Sequence, residues 1–179
     1  MSDFSLIIAG FGGQGVLFAG KAAAYCALLE GKEVSWLPSY GPEMRGGTAN
    51  CGVCISDTPI GSPLVTRPHA LIAMNGPSLQ KFLPLVMPGG LALADSSIIK
   101  QMPESPRARL VPVPASDTVS REGLGGVANM LLLGKLLRET GFSVMDTMRE
   151  ALAECVPPRK KDMLEKNIRA VELGFALDG

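Results

Sequence analysis

Apolar positions change period twice in the first thirty residues. Phe4 to Ala9 is a short apolar run, interrupted only by Ser5 and stopped at Gly10, and from Gln14 to Glu30 the small and apolar residues Val16, Leu17, Gly20, Ala23, Ala24, Ala27 and Leu28 recur at helical spacing. This predicts a strand, a glycine turn and a helix. Glu33 to Pro38 reads as a second strand. Thr48 to Ser56 alternates as a third, closed by Asp57-Thr58-Pro59, and Ile60 to Val65 reads as a further short extended piece broken by Pro63. Connections this short favour antiparallel neighbours, so the expected sheet is mixed.

The pattern continues with a buried strand from His69 to Met74, a short helix from Ser78 to Val86, and a strand from Leu91 to Ala94 reached through the Pro88-Gly89-Gly90 turn. Met102 to Pro106 is a surface loop, and Pro112 and Pro114 demote Leu110 to Val113 to a sheet edge. Beyond that the chain turns helical. Asn129 to Leu137 is apolar nearly all round, which marks a buried or interface helix. Val144, Met148, Leu152 and Cys155 form one helical stripe, Leu164, Ile168, Val171 and Phe175 another, and Pro157-Pro158 separates them. The expected fold class is α/β: a three-layer α/β/α sandwich with a mixed, mostly parallel sheet and a helical C-terminal region, built as a single domain over residues 1–179.

Charge and composition narrow the function. Lys plus Arg and Asp plus Glu both number 17, so no field of one sign draws in nucleic acid or an anionic membrane. The hydrophobic share is 46%, yet no apolar run approaches the roughly 20 residues that span a bilayer. The excess points to an obligate protein interface. The opening MSDFSLIIAG has no basic segment ahead of its apolar run, so no secretory signal is read and the cytoplasm is the expected compartment. Cys26, Cys51, Cys54 and Cys155 are scattered and read as reduced thiols. In Cys51-Gly-Val-Cys54, strand alternation sends the two sulfurs to opposite faces, which argues against a zinc or iron-sulfur site.

Three stretches carry candidate chemistry. Gly10, Gly12 and Gly15 satisfy G-x-G-x-x-G between strand and helix, where Gly12, Gly13, Gln14 and Gly15 either offer N–H groups to an anion or simply let helix and strand pack closely. Gln14 at the helix start is expected to turn its amide outward to a ligand or neighbouring subunit. A dinucleotide site also wants an acid at the end of the second strand, and Pro38 and Ser39 stand there instead. The second stretch, Leu37 to Cys51 (LPSYGPEMRGGTANC), holds Tyr40, Glu43, Arg45, Gly46 and Gly47 in a run that is neither helix nor regular strand. It is either a functional loop, with Arg45 suited to a phosphate or carboxylate and Glu43 orienting it, or a solvated turn. The third is Asn75, which either binds a ligand at the sheet's carboxyl edge or caps the next helix, the cap being preferred. His69, the single histidine, reads as an edge residue. No nucleophile with its base, P-loop lysine or His cluster accompanies these stretches, so the chain reads as one that completes a site shared with another.

The motifs Gly10-Phe-Gly-Gly-Gln-Gly15-Val16, Ser39-Tyr-Gly-Pro-Glu-Met-Arg-Gly-Gly-Thr48, Ile72-Ala-Met-Asn75 and Pro88-Gly-Gly90 resemble the gamma subunit of the 2-oxoacid:ferredoxin oxidoreductases. The similarity extends to Asn129 and to the Asn167–Gly174 stretch, and the 2-oxoglutarate type is most similar, with pyruvate and ketoisovalerate types next. His69 departs from the family pattern, in which many relatives carry Asp. The resemblance implies a complex that decarboxylates a 2-oxoacid on thiamine diphosphate, passes electrons through iron-sulfur clusters to ferredoxin and forms an acyl-coenzyme A. It implies alpha, beta and delta (ferredoxin-like) partner subunits that hold the thiamine and the clusters, with no catalytic residue identified in this chain. The competing expectations are a free-standing dinucleotide-binding module and a purely structural assembly subunit.

Overall fold

The computed structural model describes residues 3–39, 48–105 and 107–178. In chain order the elements are strand β1 (Asp3–Phe11), helix α1 (Val16–Leu29), β2 (Glu33–Ser39), β3 (Thr48–Ser56), β4 (Ala70–Ala73), α2 (Gly76–Phe82) continued by a 3-10 turn at Leu83–Leu85, β5 (Leu91–Asp95), β6 (Arg109–Val113), α3 (Ala115–Arg121), α4 (Ala128–Thr140), α5 (Met145–Cys155) and α6 (Lys161–Ala176). The strands form one six-stranded sheet in the order β2-β3-β1-β4-β5-β6. β1, β4, β5 and β6 are parallel neighbours, and β3 runs antiparallel between β1 and β2. The mixed sheet is therefore present. Ile60 to Val65, expected as an extended piece, joins no ladder; Pro63 removes a donor from it.

Strand alternation divides the core in two. Leu6, Ile8, Cys51, Val53, Ile72 and Leu93 face the larger layer, where they meet α1, α4 and α5. Ile7, Ala9, Leu71, Ala73, Ala92 and Ala94 face the thinner layer, where Leu79, Phe82, Leu83 and Val86 close over them. The central strands β1 and β4 are buried on both sides, so they read as continuous apolar runs in place of an alternation.

Close helix approach depends on small residues. In α1, Ala19, Ala22, Ala23, Cys26 and Ala27 are fully buried, and a Cβ on Gly20 would lie 2.4 Å from Cys51 Sγ and 3.0 Å from Trp36 Nε1. The tightest contact joins α4 to α6. A Cβ on Gly134 would lie 2.0 Å from the Val171 carbonyl oxygen, and one on Gly174 would lie 1.9 Å from the Leu131 carbonyl oxygen. Each helix thus presents a glycine to the other's backbone. This decides the buried line of α6, which is Asn167, Ala170, Val171 and Gly174; Phe175, expected in the apolar stripe, is 37% exposed. Val144 likewise drops out of the α5 stripe: it precedes the helix and is 61% exposed, while Met148, Leu152 and Cys155 are buried.

A buried cation crosses this interface, with the more exposed Arg138 beside it donating to the Phe175 carbonyl at 2.9 Å. Lys135 is 2% exposed, and its Nζ lies 2.8 Å from the Leu177 carbonyl and 2.9 Å from Glu139 Oε1. Glu139 also accepts from Arg109 at the edge of the sheet. Those hydrogen bonds, Arg109 first and Lys135 second, hold the Glu139 carboxyl below its ordinary value. No helix among the described residues is long and apolar enough to cross a membrane.

Two measurements check this packing. Gly134→Ala and Gly174→Ala each force a methyl against backbone, so urea unfolding should show a loss of about 1–3 kcal/mol or more, whereas Gly61→Ala, with open space around it, should stay close to wild type; equal midpoints for all three contradict the close approach. The depressed Glu139 pKa gives stability that is present above the ordinary carboxyl value of 4.5 and lost as pH falls through the folded value. Glu139→Gln should therefore flatten the acid limb of stability against pH, and an unchanged slope below pH 4.5 argues against the linkage.

Candidate functional site

Parallel strands end together, and in this sheet they end on a glycine turn. Ser39, Phe11, Ala73, Asp95 and Val113 close β2, β1, β4, β5 and β6 at one edge, and β3 starts there because Thr48 pairs with Phe11. The residues joining Ser39 to Thr48 therefore enter and leave at this edge. Tyr40, Glu43, Arg45, Gly46 and Gly47, predicted as site residues, lie outside the described residues. The glycine turn and Asn75 are at the same edge as Ser39 and Thr48, the carboxyl end of the parallel strands, where open α/β proteins bind ligands.

The turn is built by φ and by one side chain. Gly13 and Gly15 take φ of 90° and 73°, a region costly for any residue with a Cβ. Gln14 lies between them, and its amide points inward, not outward as expected. Its Oε1 accepts the Phe11 N–H at 2.6 Å and its Nε2 donates to the Met74 carbonyl at 3.2 Å. Gln14 thus ties the ends of β1 and β4 and fixes the turn; a Cβ on Gly10 would meet its Oε1 at 2.6 Å. Asn129, 4% exposed in the first turn of α4, donates from Nδ2 to the Gly15 carbonyl at 2.9 Å. The glycine at position 15 is needed for contact as well as conformation, because a Cβ there would lie 2.4 Å from that nitrogen.

The same turn lines a cleft. Gly13, Gln14, Met74, Ser116, Ser120 and Gly126 surround a space of about 360 Å3, and Ser120 also borders an adjoining space of about 380 Å3 with Pro114, Asp117 and Arg121. Gly15 caps α1 and Val127 caps α4 with no side-chain hydrogen bond, so both helices leave first-turn N–H groups unclaimed by a capping side chain. The chemistry on offer is hydroxyls, backbone donors, the Arg121 guanidinium and the Asp117 carboxylate, which suits recognition of a polar group. Sequence reasoning missed Ser116, Ser120 and Arg121. Their signal was weak: α3 is one seven-residue helix after a proline, and only the Gly125-Gly126 pair marks the bend that brings it back.

Asn75 and Asp95 serve the framework. Asn75 Oδ1 caps α2 through the Ser78 N–H at 2.8 Å and the residue is 1% exposed, so the preferred capping role is the one its side chain performs. Asp95, fully buried, had no partner in sequence but accepts from Ser116 Oγ at 2.5 Å and from the Ser97 N–H at 3.1 Å. His69 lies at the opposite edge. Its Nδ1 accepts the Ser5 N–H at 3.1 Å, which leaves the ring proton on Nε2, and the ring stacks on Phe4 with centroids 5.9 Å apart. The position therefore has a polar role, joining the start of β4 to β1.

The thiols sit apart from one another. Register puts Cys51 on the larger-layer face and Cys54 on the other, and Cys26 and Cys155 are on separate helices. Burial pushes the Cys51 and Cys26 thiols up to about 11, so both are neutral and poor ligands at neutral pH. Among the described residues no three His, Cys, Asp or Glu side chains gather as metal ligands. At the end of β2, where a ribose would need a carboxylate, stand Pro38 and Ser39.

An open, mixed sheet with helices on its faces, a glycine turn after β1 and a cleft beside that turn defines a domain of the α/β class. The chain belongs to the pyruvate ferredoxin/flavodoxin oxidoreductase family, whose pattern matches residues 5–177. It is 41% identical over 169 residues to ketoisovalerate oxidoreductase subunit VorA of Methanothermobacter thermautotrophicus, covering 93% of this chain and 35% of that one. The chain thus spans about a third of the VorA relatives it matches. It is 37% identical over 177 residues to 2-oxoglutarate synthase subunit KorC of the same organism, covering 95% of this chain and 92% of KorC. The solved gamma subunit of a keto/oxoacid ferredoxin oxidoreductase from Geobacter sulfurreducens superposes with a TM-score of 0.81 at 28% identity, covering 96% of both chains.

Replacing Gln14 tests the clamp. Gln14→Ala strands the Phe11 N–H and the Met74 carbonyl, so chemical denaturation should report a loss of about 1–3 kcal/mol and amide exchange at Phe11 should speed up; an unchanged exchange rate contradicts the clamp.

Proposed function

We propose that this chain is the gamma subunit of a multisubunit, cytoplasmic 2-oxoacid:ferredoxin oxidoreductase of the 2-oxoglutarate synthase type. The observation that carries the reading is the end-to-end match to KorC at 37% identity and 92% of its length. The higher identity to VorA, 41%, favours ketoisovalerate as a second substrate reading. In either case the chain works as one domain beside alpha, beta and delta (ferredoxin-like) subunits. In such a complex the partner chains would hold thiamine diphosphate, which would supply carbanion stabilisation on the 2-oxoacid, and iron-sulfur clusters, which would supply the electron path to ferredoxin.

The part left to this chain is recognition at the carboxyl edge. The glycine turn from Gly12 to Gly15 and the residues Tyr40, Glu43 and Arg45 complete a composite site in which the Arg45 guanidinium pairs with a phosphate or carboxylate, coenzyme A being the anionic ligand of this reaction. Glu43 orients Arg45 or meets a partner chain. A free dinucleotide module is disfavoured by the absence of an acid at the end of β2.

Purified from its native cell as an intact complex, the chain should come with thiamine-binding and iron-sulfur subunits and support 2-oxoacid-dependent dye reduction that requires coenzyme A. A higher kcat/KM for 2-oxoglutarate than for ketoisovalerate decides the substrate; a lone chain carrying a nucleotide overturns the reading. In the assembled complex, Arg45→Ala should raise KM for coenzyme A roughly tenfold to a hundredfold, the loss expected for one charged hydrogen-bonded pair, and an unchanged KM and kcat remove Arg45 from the site.

A further inference from the structure

Asp95 ends β5 and is fully buried, a position where a carboxyl group is tolerated only with its oxygens hydrogen-bonded. Its side-chain partners among the described residues are the Ser97 N–H at 3.1 Å, the Ser116 N–H at 3.3 Å and the Ser116 hydroxyl at 2.5 Å. Ser97 does the same for the next residue of α3, its Oγ accepting the Asp117 N–H at 2.9 Å. Two side chains at the end of β5 thus take up first-turn N–H groups of a helix whose own N-cap, Pro114, offers no side-chain bond. Little else holds α3. It has seven residues, of which only Ala115 and Val119 are buried, and isolated helices shorter than roughly 12 residues are marginal in water.

We infer that Asp95 is a positioning residue for ligand recognition: through Ser116 it sets α3 beside the glycine turn, where the Ser120 hydroxyl meets coenzyme A. The inference rests on the reading of this edge as the coenzyme A site and adds to it a wall and the group that holds the wall. Ser116, Val119 and Ser120 of α3 line the cleft of about 360 Å3 together with Gly13, Gln14 and Met74. Both sides of that cleft are fixed from neighbouring strand ends. Ala73 and Ala94 are register partners, so Met74, whose carbonyl Gln14 holds, and Asp95 are the next residues of β4 and β5. The Ser116 hydroxyl is already given to Asp95. Ser120 is exposed, borders both cleft spaces, and its hydroxyl has no partner among the described residues. A hydroxyl both gives and takes hydrogen bonds, which suits the amide groups and phosphate oxygens along coenzyme A.

The test varies coenzyme A at saturating 2-oxoacid in the intact complex and follows amide exchange in the full chain. Asp95→Ala removes both oxygens, Asp95→Asn keeps an acceptor for the Ser116 N–H, and Ser120→Ala removes the contact alone. His69→Ala, which unties β4 from β1 at the opposite edge, is the control for lost stability. Asp95→Ala should speed exchange at Ser116 and raise KM for coenzyme A about tenfold or more with kcat within about twofold. Asp95→Asn should recover most of both effects, Ser120→Ala should raise KM roughly threefold to tenfold, and His69→Ala should leave KM unchanged. Faster exchange at Ser116 with an unaltered KM overturns the inference, because α3 is then anchored but reads no ligand; so does an equal rise of KM in His69→Ala. Ser120→Ala breaks no bond of the fold, so an unchanged KM there overturns the contact even where Asp95→Ala does not assemble. A wild-type complex that turns over without coenzyme A defeats the underlying reading, and the inference with it.

Discussion

The distance of closest approach between backbones governs this molecule. Gly20 admits the thiol of Cys51 and the indole of Trp36 between α1 and the sheet, and Gly134 and Gly174 each receive a carbonyl of the opposite helix. A methyl group at any of these points overlaps its neighbour, so the larger layer depends on their having none. With the layer set this close, α4 places Asn129 against Gly15 and Lys135 within reach of the chain's last carbonyl groups. The glycine turn is consequently anchored from two sides, by Gln14 within its own segment and by Asn129 from the helical layer.

That anchoring bears on how the fold serves function. A recognition site gains from donors held in place before the ligand arrives, since less ordering remains to be done on binding. Here the turn, the ends of β1 and β4 and the first turn of α4 are tied into one unit by three side-chain hydrogen bonds to main chain. Several potentially reactive groups among the described residues serve the framework: buried Cys26 and Cys51 are kept neutral, Asp95 is occupied in holding α3, and His69 ties two strands at the far edge.

The sequence by itself determined the succession of elements, because the period of apolar residues reports which side of an element meets the core. It set β1, α1, β3 and β5 within a residue or two and α4 to within three, foretold a mixed sheet, and put Cys51 and Cys54 on opposite faces, since all of these follow from the apolar pattern within one segment. The YGPEMRGG and GGQG motifs were visible for the same reason, being contiguous. Only the tertiary structure decided that Gln14 turns inward, because its acceptor at Met74 lies 60 residues away, and that Gly134 and Gly174 face each other across two helices. Val144 and Phe175 had the right spacing for a stripe and still lie outside the core: periodicity gives a direction around a helix, while the neighbour that must fill it is set by how the helices dock. Ser116, Ser120 and Arg121 reached the candidate site in the same way, carried there by a short helix whose position no local pattern encodes.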